Sequence, residues 1–210
     1  MLRAIVKKFF TIVNNLFFRV EYVNAEKLPL KGPAIIVANH QHIFDVSVIH
    51  CKSKPWVNWV AKKELADIPF LGRIVLKMGT MPVDRNKSDF SVAKSMFEKI
   101  KNKEVIALFP QGTRVMTSEQ MATTIPKTGA VHIAIRTNTP LIPVGILGNF
   151  KLFSKVKVVV GDPIDFSNVP KDKIDADELM KLTVDVMTKI YELIGIEYNL
   201  KTDSGNNEKI

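Results

Sequence analysis

Short apolar runs occur along the chain at residues 34–38, 57–61, 80–83, 105–109, 141–146 and 156–160. They are rich in Val and Ile and only four to six residues long, which suits strands buried on both faces better than helices. Between them, at 45–52, 70–78, 89–101, 129–137 and 175–194, apolar residues recur every three or four positions. That is the period of a helix with one buried face. Strands alternating with helices predict an α/β fold, a single domain with a largely parallel mixed sheet flanked by helices. Neither an internal repeat nor an interdomain linker interrupts the pattern.

The first twenty residues, MLRAIVKKFFTIVNNLFFRV, carry a different pattern. On a helical wheel Leu2, Ile5, Val6, Phe9, Phe10, Ile12, Val13, Leu16 and Phe17 share one face. Arg3, Lys7, Lys8, Thr11, Asn14, Asn15 and Arg19 share the other, and only Phe18 is out of place. The stretch between Lys8 and Arg19 falls short of the roughly 20 apolar residues a spanning helix needs, and no small-residue cleavage site follows it. With no acidic residue in the segment, the expectation is a helix lying in the headgroup layer of an anionic membrane. The same pattern would also serve a helix packed on the protein's own core. The expected organisation is a membrane-associating helix over 1–20, a folded domain over 21–198, and a polar, disordered tail over 199–210.

Composition adds the sign of the surface. The chain has 210 residues, enough for one sizeable core, and 30 Lys and Arg against 21 Asp and Glu give a formal charge of +9. A basic surface attracts nucleic acid, anionic membranes or phosphorylated small molecules. Nucleic acid ranks last, because the chain has no nucleic-acid motif and few aromatics placed for stacking. Cys51 is the only cysteine, so no intrachain disulfide can form, which fits a reducing compartment. In its apolar surroundings it reads as a small buried hydrophobe.

In a parallel sheet, function collects in the loops at the carboxyl ends of strands. Three such loops carry chemistry: Asn39 through Asp45, Asp84-Arg85, and Pro110 through Arg114. His40 and Asp45 have four residues between them, close enough for a tight loop entering a helix to bring the carboxylate to the imidazole. An imidazole is the side chain suited to taking a proton from an alcohol near neutral pH, and a carboxylate on its other nitrogen holds the tautomer. Asp45 could equally be a simple helix cap. Without a Gly-x-Ser-x-Gly elbow or a Cys beside a base, direct attack by an acceptor hydroxyl is a simpler scheme than a covalent acyl-enzyme. His40, His42, His50 and His132 with one cysteine do not form a zinc pattern. Arg85, Arg114 and Lys127 are candidates for holding phosphate. Gly112 would let the backbone approach an anion, and the helix after Lys127-Thr128-Gly129 would add its N-terminus.

Taken in order, these loops resemble the lysophosphatidate (1-acylglycerol-3-phosphate) acyltransferase family of glycerolipid acyltransferases. Asn39-His40 through Asp45 is similar to that family's His-x4-Asp block, Met81 through Arg85 to its second block, Phe109 through Arg114 to its Phe-Pro-Glu-Gly-Thr-Arg block, and Pro140 through Val144 to its fourth. Two positions depart: His42 stands where Ser is usual, leaving a competing base, and Gln111 where Glu is usual. The resemblance implies that His40 is the general base and that Asp45 orients it. It also implies that Arg85, Gln111, Gly112, Thr113, Arg114 and Lys127 line the acceptor site. The implied donor is acyl-CoA or acyl-carrier protein, with no cofactor and no metal. The implied product is phosphatidate, made on the cytoplasmic face of a membrane by a peripheral or monotopic protein. Other readings are a different lysophospholipid or glycerol-3-phosphate as acceptor, or a non-catalytic membrane-binding homologue that has lost the Glu.

Overall fold

The run at 34–38 becomes β2 (Ala34–Ala38), buried at all five positions. It is the middle strand of a seven-stranded sheet, so side chains pointing either way meet a packed layer. A computed structural model describes residues 2–84, 90–171 and 174–201. The elements run α1 (Leu2–Phe17), β1 (Arg19–Val23), β2, α2 (Asp45–Lys52), β3 (Val57–Lys62), α3 (Glu64–Asp67), α4 (Leu71–Lys77), β4 (Met81–Val83), α5 (Phe90–Lys101), β5 (Val105–Leu108), α6 (Ser118–Thr123), α7 (Gly129–Thr137), β6 (Leu141–Leu147), β7 (Lys155–Val160) and α8 (Ala176–Glu192). The strand order is β1-β7-β6-β2-β5-β3-β4. All neighbours are parallel except β6 and β7, which makes the expected parallel-dominated mixed sheet.

Strand alternation divides the core in two. Ile35, Val37, Ile106 and Leu141 pack with α5, α7 and α8 on one face. Ile36, Ala38, Ala107 and Val144 pack with Val48 and Ile49 of α2 on the other. The first layer closes only because β6 carries Gly145. A Cβ there would lie 2.7 Å from Ile194 Cγ2 and 2.8 Å from the Ile190 carbonyl. The start of α8 is capped by Asp175, whose carboxylate accepts the Glu178 N–H at 2.8 Å.

The N-terminal segment departs from expectation in a useful way. The helix ends at Phe17, and Arg19–Val23 is a strand pairing in parallel with β7 from Arg19↔Lys155 to Val23↔Val159. The sequence RVEYV alternates as a strand does, so the helical reading of Arg19 and Val20 extended one period too far. It also explains Phe18. The residue lies off the helix's apolar face because it sits at the corner between helix and strand, buried edge-on to Phe44 and Phe150 at 5.1 and 5.2 Å. The short α3 and α6 escaped the sequence reading because helices of four and six residues are too short to show a period. Of the expected tail, residues 202–210 lie outside the described residues.

α1 lies against α2 with its polar side inward. The Asn14 side chain is buried and its Oδ1 accepts a bond from the Ser47 hydroxyl at 2.8 Å. Lys7 donates to the Ser53 carbonyl, and the Arg3 guanidinium lies 5.0 Å over the Trp56 ring. The stripe opposite, Ile5, Phe9, Ile12 and Leu16, is 55–60% exposed. The alternative of a helix packing its apolar face on the core is therefore not what the fold does. Among the described residues no helix is long and apolar enough to cross a membrane.

Candidate active site

The parallel strands β2, β3, β4, β5 and β6 all end at one edge of the sheet, so the loops singled out by sequence converge there. Asn39, the first residue past β2, is fully buried. Its amide donates to the Ile146 carbonyl at 2.8 Å and its oxygen accepts the Ile146 N–H at 2.7 Å. This pair continues the β2–β6 ladder by one side chain and pins the backbone immediately before His40.

From that anchor the chain turns into α2, and Asp45, the first residue of the helix, is completely buried. Its Oδ2 accepts the backbone N–H groups of Gln41 and His42, both at 2.7 Å, and lies 2.8 Å from His40 Nδ1. Because that oxygen is the acceptor for two backbone N–H groups, it is taken as the acceptor here too, with Nδ1 as the donor. The lone pair is then on Nε2. The imidazole, 13% exposed, stacks on Phe109 at 3.9 Å between centroids with planes 9° apart, and Phe109 stacks in turn on Trp59 at 5.2 Å. Tautomer and ring plane are thus both held. The His42 ring goes elsewhere, stacking on Phe44 and Phe150 at 5.5 and 5.1 Å while its Nδ1 accepts the Phe44 N–H at 3.4 Å. Among the described residues no carboxylate is bonded to it, so the structure separates the two histidines that the sequence left in competition.

The third loop meets the first through its backbone. The Val115 N–H donates to the His40 carbonyl at 2.8 Å, which places Arg114 beside the histidine loop. Pro110 leads a tight turn closed by the Gly112 N–H on the Phe109 carbonyl at 2.9 Å. Gly112 then takes φ +67°, where a side chain is strained. The Lys127 N–H donates to the Pro110 carbonyl at 2.8 Å, and Lys127 Cγ lies 3.9 Å from where a Gly112 Cβ would sit. Gly112, Thr113, Arg114 and Lys127 are therefore neighbours, and Thr113, Arg114 and Lys127 are exposed at the surface. Lys127 also leads into α7, whose first residue, Gly129, has open space around it. Arg85 lies outside the described residues.

Gln111 stands apart from that group. It is 3% exposed, and its Oε1 accepts a 2.9 Å bond from the Tyr191 hydroxyl on α8. Burial pushes the Tyr191 phenol up from its ordinary pKa, with the bond to Gln111 acting the other way, so it is a protonated donor near neutrality. Gln111 Nε2 is buried with no hydrogen-bond partner among the described residues. Asn39, Phe109 and Tyr191 are the contributors that motif reading did not assign a role. The first two could have been suspected as a polar residue and an aromatic residue each immediately following a buried strand. Tyr191 gave no signal, because its contact with Gln111 spans 80 residues.

Comparison with known proteins identifies the family. Residues 19–147 match the sequence model of the Acyltransferase family. The chain is 32% identical over 167 residues to the 1-acyl-sn-glycerol-3-phosphate acyltransferase of Bacillus subtilis, covering 75% of this chain and 81% of that protein. It is 33% identical over 186 residues to the Saccharomyces cerevisiae protein of the same name, covering 81% of this chain but only 60% of the yeast protein. The crystal structure of the 1-acyl-sn-glycerophosphate (LPA) acyltransferase PlsC from Thermotoga maritima superimposes with a TM-score of 0.69 at 25% identity, over 92% of this chain and 80% of that one. The family match spans β1 through β6 and thus contains the His40–Asp45 pair, the Gly112 turn and Lys127, so this chain belongs to the Acyltransferase family.

Proposed function

We propose that the protein transfers a fatty acyl group from an acyl thioester to the free hydroxyl of lysophosphatidate, giving phosphatidate. The observation that carries the reading is the His40 Nδ1–Asp45 Oδ2 contact of 2.8 Å, on a ring held by Phe109. It leaves a neutral Nε2 as base. The names of the Bacillus, yeast and Thermotoga proteins supply the substrate class.

Nε2 takes the proton of the acceptor hydroxyl as its oxygen attacks the thioester carbonyl carbon. The imidazolium formed is stabilised by the Asp45 carboxylate. The tetrahedral intermediate collapses with cleavage of the C–S bond, and the departing thiolate takes the proton back from Nε2. Ester and thiol leave, and His40 returns to its starting state. The acceptor phosphate is held by Arg114 and Lys127 beside the Gly112 turn, with Thr113 adding a hydroxyl and Arg85 a second guanidinium. The donor thioester is carried by acyl-CoA or acyl-carrier protein, and the chemistry asks for no cofactor.

We read the enzyme as acting on the cytoplasmic face of an anionic membrane, where its acceptor and product reside, and the outward apolar stripe of α1 supports the surface contact. Ile5, Phe9, Ile12 and Leu16 are already partly covered, so burying the remainder in acyl chains would gain about 1–2 kcal/mol each. Lys8 and Arg19 then sit at headgroup level. The test is transfer of a labelled acyl group from acyl-CoA to lysophosphatidate in anionic vesicles. Wild type should form labelled phosphatidate, and His40→Ala should be slower by about 10²–10⁴-fold, the usual cost of losing a general base. Undiminished turnover in His40→Ala removes this reading. A wild-type protein that binds vesicles but transfers to no lysophospholipid favours the non-catalytic homologue suggested by Gln111.

A further inference from the structure

The loop between β6 and β7 contains two phenylalanines in the left-handed region, Phe150 at φ 49° and Phe153 at φ 59°. A bulky residue pays a steric penalty there, and Asn or Gly is the usual occupant. For Phe150 the penalty is offset by burial, since its ring packs on Phe18 and beneath His42. For Phe153 it is not: the residue is 58% exposed and its neighbour Leu152 is 61% exposed. A bulky apolar side chain kept at a strained position where the fold does not bury it points to a use for that side chain outside the fold.

The position of the loop suggests what that use is. The Phe153 N–H donates to the Phe17 carbonyl at 2.7 Å, and the Arg19 N–H to the Ser154 carbonyl at 2.9 Å. The loop is thereby fastened to the end of α1, next to the exposed Leu16 and Phe17. Exposed cations flank the apolar tip: Lys151 precedes it, and Arg19 and Lys155 follow as register partners on β1 and β7. Apolar side chains at a loop tip, continuous with an apolar helix stripe and bordered by positive charge, match the layering of an anionic lipid surface. β6 is parallel to β2, so the loop also leaves the sheet at the end that carries His40.

We propose that Leu152 and Phe153 form a second lipid-inserting contact, which with α1 fixes the rotation of the domain on an anionic bilayer and turns the His40 end toward it. The inference rests on the membrane reading of α1 given above, and the experiment keeps the two separable. Full-length wild type, Phe153→Asn, Leu152→Ser and a stripe variant (Ile5, Phe9, Ile12 and Leu16 each to Ser) are sedimented with vesicles of phosphatidylcholine containing phosphatidylglycerol, and each is melted without lipid. Because Asn tolerates the left-handed region, Phe153→Asn should melt no lower than wild type. It should bind vesicles about tenfold more weakly or worse, the scale expected for one lost aromatic insertion. Leu152→Ser should weaken binding likewise.

Phe9→Trp and Phe153→Trp, compared with wild type on brominated lipid, should both lose emission. If Phe9→Trp is quenched and Phe153→Trp is not, α1 inserts without the loop and this proposal fails alone. A lower melting temperature for Phe153→Asn with unchanged vesicle binding makes the ring structural and also overturns it. A concentration-dependent dimer of wild type that Phe153→Asn abolishes would assign the tip to a second copy of the chain instead. Failure of wild type to sediment with vesicles removes the membrane reading itself, and this proposal with it.

Discussion

At the scale of single residues, the site depends on where each polar atom finds its partner. Asp45 has a place in both the proposed chemistry and the stability of the loop: its Oδ2 contacts His40 Nδ1 and also terminates two backbone N–H groups of the same loop. His40, by contrast, contributes one ring to a stack. Both Asp45→Ala and His40→Ala should therefore lose turnover, but Asp45→Ala should also unfold more easily. Each orphaned buried N–H costs about 1–3 kcal/mol. Urea unfolding of the two variants checks this, and equal destabilisation would show that His40 is itself structural. Gln111 gives a second contrast. It is buried against a phenol, so a carboxylate in its place would be desolvated with one donor to help it, and its pKa would rise. The folded state would then hold that proton more tightly than the unfolded chain. The Gln111→Glu protein should lose stability, relative to wild type, as pH rises above the ordinary Glu value of about 4.3. Unfolding midpoints at pH 4.5 and 7.5 measure it; a deficit independent of pH would mean that the carboxyl reaches water or a cation.

At the scale of elements, the contact between α1 and α2 contains a buried titratable group. His50 on α2 is 8% exposed and lies edge-on to Trp56 at 4.2 Å. Burial, and then the Lys7 and Arg3 charges on α1, push its pKa down from 6.5 to about 4. In the unfolded chain His50 protonates first, so its effect is absent above about pH 6.5 and grows as pH falls toward 4. At the bottom of that window the loss is on the order of 3 kcal/mol, from about 1.4 kcal/mol per pKa unit. His50→Gln should remove this acid sensitivity. The check is the difference in unfolding free energy between the two proteins at pH 7.5 and 4.5. It should narrow or reverse on acidification, and an unchanged difference would show that the folded imidazole takes up its proton over the same pH range as the unfolded chain does.

For the whole molecule, the proposed membrane contact divides into a charge contribution and an apolar one. A charge of +9 gives a long-range attraction to anionic lipid that salt screens, whereas the α1 stripe gives an apolar contribution that salt does not remove. Wild type should remain partly vesicle-bound at about 1 M salt, where the Debye length is roughly 3 Å. The variant with Ile5, Phe9, Ile12 and Leu16 changed to Ser should bind at low salt and be released at high salt. Because those side chains face away from α2, it should keep its fold and its activity on a soluble short-chain acceptor. Co-sedimentation across a salt series, with the soluble assay beside it, measures both. Release of wild type and variant at the same salt would show that charge alone holds the protein.

Local patterns were enough for everything that depends on neighbours in sequence. The apolar runs became β2 through β7, and those at the centre of the sheet, β2, β5 and β6, are the ones that are apolar on both faces. The helix periods became α2, α5, α7 and α8 because each buries one stripe. His40 and Asp45 could be paired from their spacing, since the first turn of a helix returns a side chain to the loop before it. What needed the folded chain were contacts between distant segments and the direction in which a face points. A helical wheel shows that α1 has an apolar side, but not that Ser47 would take Asn14 inward and leave Phe9 outside. Spacing cannot place Gln111 under Tyr191, separate the surroundings of His42 from those of His40, or bring Phe153 to the end of α1. The reason is physical: periodicity records which residues avoid water together, whereas the partner on the other side of a contact is set by how the sheet orders its strands, and that order is a property of the assembled core.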